Sequence, residues 1–412
     1  MKIRNSDVVQ LKNRCSLIHN YMKSHLFATL NPLSKRGCRW SGRILLAILP
    51  LAGSSLLGET REFFGEVKEG RLSSYVSENV RFSGRLHPQF DYLESELKGT
   101  SVADPETAQR DFFRRVFAGV KVDLSRSLRV NYLTDVSDRI VKNQIARLEW
   151  KPGDANKIYI GYQKVPFGFE DTMSSSKVKP IERSANTRFW NEVVGIGSYH
   201  SGVYYYHDYG QGMDSVLGLA HNVKSESDWP DVLDGDVSLY ARFTKEGKSD
   251  YGSFYQAGVD VGYQPYGDGR QVLAASFFGN LSYSGYELAL EATGGEIGLV
   301  EGDAAKAFGW HAQVSRMWGE KWEWVARASQ IDTGGYQLKL SSAIRKAPYS
   351  GFKYEQVDSI YFGGNYYMKG NSVKFSVGYE LAEGRDALSG SGVLDGVSEV
   401  VSGFRARGQL LF

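Results

Sequence analysis

Residues 81–92 read RFSGRLHPQFDY, and alternate positions belong to different chemical kinds. Phe82, Leu86, Pro88, Phe90 and Tyr92 share one parity with Gly84; Arg81, Ser83, Arg85, His87, Gln89 and Asp91 share the other. Successive side chains of an extended chain point to opposite faces, so this is a strand with one oily and one ionic side. A soluble sandwich would bury the oily side, whereas a barrel in a membrane would turn it outward. One strand does not choose between them.

The pattern runs on to the end of the chain. Val116, Ala118, Val120, Val122 and Leu124 alternate with Arg115, Phe117, Gly119, Lys121 and Asp123, and after Ser125 and Arg126 the alternation resumes through Leu128, Val130 and Tyr132, as in a hairpin. Similar segments follow at 139–150, 156–166, 192–199, 202–209, 213–222, 235–246, 252–262, 271–283, 284–294, 308–318, 321–331, 356–368, 371–382 and 398–412, seventeen candidates in all. Short turns are expected at His200-Ser201-Gly202, Gly319-Glu320-Lys321 and Gly370-Asn371. No helix of any length is expected after residue 80; a short one fits within 59–78.

Single-chain bacterial outer-membrane barrels use an even number of alternating ~10-residue strands, and sixteen is the nearest value here. Trp310 and Trp318 share a parity eight residues apart, roughly 26 Å at about 3.3 Å per residue, close to the ~25 Å height of a lipid-facing band. Trp318 and Trp322 flank a turn, where a membrane interface would hold both rings. The expected fold is therefore all-β, a transmembrane antiparallel barrel of about sixteen strands with its oily parity toward lipid.

The amino end differs in kind. Lys35, Arg36, Arg39 and Arg43 precede the apolar run ILLAILPLAGSSLLG at 44–58, too short to span a bilayer but suited to the apolar core of a secretory signal. The domain reading is a signal peptide over 1–58, a short periplasmic segment over 59–79 and a barrel domain over 80–412. Both cysteines, Cys15 and Cys38, fall in the signal, so the mature chain has no disulfide framework. Nine of the 49 Lys and Arg and one of the 47 Asp and Glu lie in 1–58, leaving 40 and 46, a net charge of −6. Any preference for anions must come from local placement, not from overall charge.

Several motifs carry a family likeness. SGRLHPQFDY at 83–92, FFRRVFAGVKVDL at 112–124 and IYIGYQKVPFGFEDTMSSSKVKPIERS at 158–184 occur in that order, and the chain ends on the alternating strand VSGFRARGQLLF with a terminal Phe412. The third holds Gly161, Lys164, Pro166, Phe167, Gly168 and Glu170, then Ser175, Ser176 and Lys177, then Glu182, Arg183 and Ser184. Together they resemble the phosphate-selective porin O and P family. The resemblance covers about 80–200 and the last strand, and it implies a trimeric sixteen-stranded barrel whose lumen is narrowed by an inward-folded constriction loop. By position that loop is 167–190.

The ionic parity is then the one to read for function, since charges facing lipid at the midplane would cost about 2–4 kcal/mol each. Candidate pore-lining and anion-binding residues are Arg85, Arg115, Lys121, Arg129, Arg405 and Arg407 on the strands, Lys164 in the motif, and Lys177, Lys179, Arg183 and Arg188 in the loop. Arg242, Arg327 and Lys374 share the inner parity. Rings of Lys and Arg favour anions, and Arg can hold phosphate oxygens in a bidentate fork. Asp91, Asp123, Glu323 and Glu380 also share that parity, so two readings stand for each arginine: solute site, or wall strut paired with a carboxylate. Arg114 has the oily parity and is expected near a strand end, and Glu170 and Glu182 are expected to anchor the loop.

Enzyme signatures are poor. Gly247-Lys248-Ser249 would end a phosphate-binding loop, but Arg242 stands at the position of its first glycine, and Gly195-Ile196-Gly197 lacks the third glycine of a dinucleotide fingerprint. His200, His207 and Asp208 look like a polar strand end more than a metal cluster. The expectation is an outer-membrane porin without cofactor, metal or nucleic-acid partner. It would pass small anions, with phosphate or polyphosphate implied by the resemblance; the alternative is a general or sugar-admitting porin.

Overall fold

The structure, a computed structural model, describes residues 78–412 apart from 100–105, 138–140, 222–236, 249–252, 267–269, 300–302, 337, 349–350, 390–391 and 395. The signal reading over 1–58 and nearly all of 59–79 lie outside the described residues.

Strands follow one another as β1 (Val80–Lys98), β2 (Glu106–Asp123), β3 (Leu128–Asp135), β4 (Lys142–Gly153), β5 (Asn156–Lys164), β6 (Tyr199–Gly210), β7 (Met213–His221) and β8 (Val237–Lys248). The second half comprises β9 (Phe254–Pro265), β10 (Gln271–Tyr283), β11 (Tyr286–Ile297), β12 (Ala305–Trp318), β13 (Trp322–Asp332), β14 (Lys353–Lys369), β15 (Val373–Ser389), β16 (Gly392–Leu394) and β17 (Ser398–Leu411). Each barrel strand pairs antiparallel with its neighbours, β15 pairs with β17, and β17 pairs with β1. The three-residue β16 only extends β15. The result is a closed barrel of sixteen strands. Closure leaves no unpaired strand edge, which is what a β-structure in hydrocarbon requires.

Connections alternate between longer segments at one end and tight turns at the other, such as 211–212, 284–285, 319–321 and 370–372. Short turns mark the periplasmic end of such barrels and long loops the external one. Parity fell as expected. Phe82 is 78% exposed and Phe90, Phe404 and Phe412 are exposed on the same outer face, while His87, Gln89, Asp91, Arg405 and Arg407 are buried within. Trp318 is 81% exposed beside the 319–321 turn, and Trp322, its partner in register, packs its ring 4.7 Å from that of Tyr366.

Three expectations need correction. The segment 192–199 is not a strand: residues 185–188 form a short helix and 189–194 a π-helical turn, and β6 begins only at Tyr199, so His200-Ser201-Gly202 lies inside a strand. Val194 and Ile196 gave that stretch its oily pattern, and with Phe189 and Trp190 they are buried in a core instead of facing lipid. Removing this candidate turns seventeen into sixteen. Short helices do occur after residue 80, at Phe169–Thr172, Ala185–Arg188 and Leu340–Ala343.

Arg114 is the third. The β1–β2 register runs from His87↔Arg115 to Pro88↔Phe113, which leaves Arg114 as the extra residue of a bulge. Pro88 has no N–H to give the ladder, and a bulge is where sheets tolerate that. Arg114 and Arg115 therefore both reach the interior.

Gly84 and the terminal residue explain each other. Gly84 N donates to Phe412 O at 2.7 Å, and the Phe412 ring lies 2.2 Å from where a Cβ on Gly84 would stand. A larger residue at 84 would have to displace that ring.

Ile360 sits midway along β14 and is exposed on the outer face. Ile360→Arg is expected to lower barrel stability by about 2–4 kcal/mol, read by urea titration of folding into liposomes. Equal stability of the two proteins would place this face out of the hydrocarbon.

Candidate functional site

The β5–β6 connection, 165–198, does not leave the barrel. Gly168, with φ 78, starts the turn inward, and the wall catches the chain there: Asp260 of β9 accepts from Gly168 N at 2.8 Å, and Glu291 of β11 accepts from Phe169 N and Glu170 N at 2.9 Å each. Further along, Lys179 pairs with Glu323 at 2.7 Å and Glu287 at 2.9 Å and donates to Ser315 at 2.7 Å. Lys374 and Gln409 donate to the Ser176 carbonyl, and Asn365 to the Lys179 carbonyl. All these wall groups are inward-facing, so the loop lies across the lumen.

Its acidic residues are anchors. Glu170 bonds Arg327 at 3.0 Å and accepts from Ser184 Oγ at 2.7 Å. Glu182 gathers Arg114 at 2.9 Å, Arg407 at 2.7 Å and Arg345 at 3.3 Å. Burial alone would raise the Glu182 carboxyl, but the guanidinium groups around it hold it well below the ordinary carboxylate value. Asp171 takes Lys164 at 2.5 Å and Asn191 at 2.6 Å.

Beside the loop, a cavity of about 940 Å³ runs along the β1–β8 side. Its lining holds ten basic residues, Arg85, Arg114, Arg115, Lys142, Arg147, Lys164, Arg183, Arg242, Arg345 and Lys346, against two acidic ones, Asp135 and Glu192. Arg85 binds Ser175 and, at 3.2 Å, Ser174, and lies 5.1 Å from the centre of the Phe117 ring. Among the described residues, neither Arg85 nor Arg115 has a carboxylate within ion-pair distance. Buried His87, opposite Arg115 in register, makes no hydrogen bond through either ring nitrogen among the described residues.

Four of the eleven candidates thus meet at one cavity: Arg85, Arg115, Lys164 and Arg183. The others do not line it. Arg405 is fully buried between Asp91 and Glu380, at 2.8 Å from each, and Arg407 is held by Gln89 and Glu182. Arg188 is buried against Glu192 and the Ser342 carbonyl, and Lys179 against Glu323. Arg129 pairs with Asp123 near the periplasmic turn, Lys121 lies beside it in β2, and Lys177 is exposed on the loop. Sequence reasoning missed six cavity residues as solute sites. Arg114 was hidden by the bulge, Arg242 was read only as inner-facing, and Lys142, Arg147, Arg345 and Lys346 carried no motif. His200 meets the carbonyls of His221 and Gly195, apart from His207, which bonds Asn156.

A closed sixteen-stranded barrel with a lumenal loop and a water-accessible charged cavity has the architecture of outer-membrane porins. Residues 106–215 match the family model of phosphate-selective porin O and P, so the likeness carried by the second and third motifs holds over that stretch. Solved porins share the fold. The anion-selective porin of Comamonas acidovorans aligns with a TM-score of 0.58 at 11% identity, covering 81% of this chain and 99% of that one. OprB of Pseudomonas putida aligns at 0.58 and 10% identity, covering 83% and 97%, and the channel DcaP of Acinetobacter baumannii at 0.54 and 12%, covering 81% and 97%. No curated protein matches the chain.

Glu182 supplies a test of the loop anchor. Because its folded value is depressed, its contribution is fully present above the unfolded value of about 4.3 and is lost only as pH falls through the folded one. Glu182→Gln leaves Arg114 without a carboxylate partner and removes one counter-charge from Arg407 and Arg345, and is expected to cost about 3 kcal/mol at neutral pH, a difference that narrows only in acid. Urea titration in liposomes at neutral and acid pH reads both; a variant as stable as wild type at neutral pH would refute the anchor.

Proposed function

We propose that the protein is a passive diffusion channel for small anions of the phosphate class, with Arg85 and Arg115 among the groups a solute meets and Lys164 and Arg183 lining the same cavity while paired with Asp171. One observation carries this reading: Arg85 and Arg115 line the open cavity with no carboxylate within ion-pair distance among the described residues, whereas Arg114 and Arg345 pair with Glu182, Arg147 with Glu149, Lys164 and Arg183 with Asp171, and Arg242 with Asp260. Guanidinium groups without a carboxylate partner keep their donors for a solute, and their fork matches phosphate oxygens. The phosphate-selective family matched over residues 106–215 and the anion-selective Comamonas porin support the choice of anion. A trimer embedded in outer-membrane lipid is what the motif resemblance to the porin O and P family implies. The chemistry requires no enzyme step, since a solute of this kind crosses by hydration exchange with fixed charges.

The test is electrical. Purified protein in planar bilayers under a KCl gradient is expected to give an anion-selective reversal potential, and added phosphate is expected to reduce the chloride current. One unit charge acts on another about 8 Å away with about 2 kcal/mol at an effective dielectric of about 20, reduced by salt to the order of 1 kcal/mol. Arg115→Gln should therefore lower anion preference roughly fivefold. Conductance without anion preference or phosphate block would support the general, sugar-admitting alternative; no conductance would end the channel reading.

A further inference from the structure

The long connection between β13 and β14 also enters the barrel. Leu338, Leu340 and Ile344 are buried in one cluster with Phe189 and Trp190 of the lumen loop. Polar ties fix its backbone: Arg188 Nε donates to Ser342 O at 2.9 Å, and Arg405 Nη2 to Arg345 O at 2.8 Å. The next residue, Lys346, has φ 63, a left-handed conformation that a residue with a Cβ adopts only when its surroundings impose it. Ala347 beyond it is buried again. Position 346 is thus held between two anchored neighbours, with its side chain turned out of the core and into the cavity.

We propose that Lys346 is a specificity-determining residue at the outer mouth of the pore, where it draws anions toward the arginines below; the inference deepens the anion-channel reading and rests on it. Lys346 Nζ stands 5.4 Å from the centre of the Phe112 ring. β2 runs inward from the long-loop end, so Phe112 lies outside Arg114 and Arg115 on the same strand. A solute from the external side meets Lys346 first. Its neighbour Arg345 cannot take this role, because Glu182 and Glu192 already compensate its charge. Lys346 has no ion pair among the described residues and is exposed. An uncompensated cation at a low-dielectric mouth raises the local anion concentration.

The experiment uses the full chain in planar bilayers. Lys346→Glu is expected to lower the anion-to-cation permeability ratio about threefold in 0.1 M KCl, with the effect shrinking at 1 M as screening shortens its reach. Cys15 and Cys38 are the chain's only cysteines, so Lys346→Cys places the single thiol in the barrel. Applied from the long-loop side, a sulfonate-bearing thiol reagent should reproduce the Lys346→Glu ratio, and a trimethylammonium-bearing one should restore the wild-type value. Anion-preferring wild type with an indifferent Lys346→Glu and indifferent adducts overturns this inference alone. A conducting wild type with no anion preference overturns the anion-selective reading as well.

Discussion

Closure of the β1–β17 seam is the constraint on which the rest of the molecule depends. In hydrocarbon every backbone donor and acceptor must find a partner, and an open sheet would leave two edges without one. The seam runs from Arg85↔Leu411 to Lys98↔Ser398. On its inner side Arg405 of β17 joins Asp91 of β1 to Glu380 of β15, and on its outer side the Phe412 ring lies over Gly84. A slip of one residue would send Arg405 into lipid and Phe404 into the lumen, so both devices oppose the same error. A buried ion triplet carries a heavy desolvation cost and is weak evidence of stability by itself. Pinning a register is the use that suits its position.

Closure also gathers the ionic face of every strand into one small volume, and the lumen loop decides what those charges do. It leans on β9–β17, where Asp260 and Glu291 hold its first turn and Lys374 and Asn365 hold its carbonyls. On that side polar groups are engaged with loop or wall. The opposite wall keeps an excess of cations. A chain with net negative charge past residue 58 can therefore present a positive cavity, because potential at a solute follows local placement far more than the summed charge.

Much of this was legible in residue order. Alternation gave the strands, the parity of Phe82 and Arg85 gave their orientation, and Gly168 marked where the chain turns inward. Legibility failed where a local pattern has two tertiary solutions. Trp190, Val194 and Ile196 are as oily as a lipid-facing strand, and only their contacts with Leu338 and Leu340 show that they belong to a loop core. The bulge had a signal in Pro88, which cannot serve a regular ladder, and in the Arg114-Arg115 pair that breaks the alternation. Arg345 and Lys346 had none, since they lie in a stretch without period and reach the pore through contacts made more than a hundred residues away.

Arg85 and Arg405 share a parity, yet one faces the cavity with serine partners and the other is sealed between two carboxylates. Residue type and strand face are thus insufficient to name a solute site; the nearest counter-charge decides it. The loop supplies much of that counter-charge, with Glu182 beside Arg407 and Arg114, Glu170 beside Arg327, and Asp171 beside Lys164. It narrows the bore and neutralises selected cations in the same act. Which cations remain for a solute then follows from which wall the loop leans on, and that choice is made at Gly168, where two wall carboxylates take hold of the first three backbone amides of the turn.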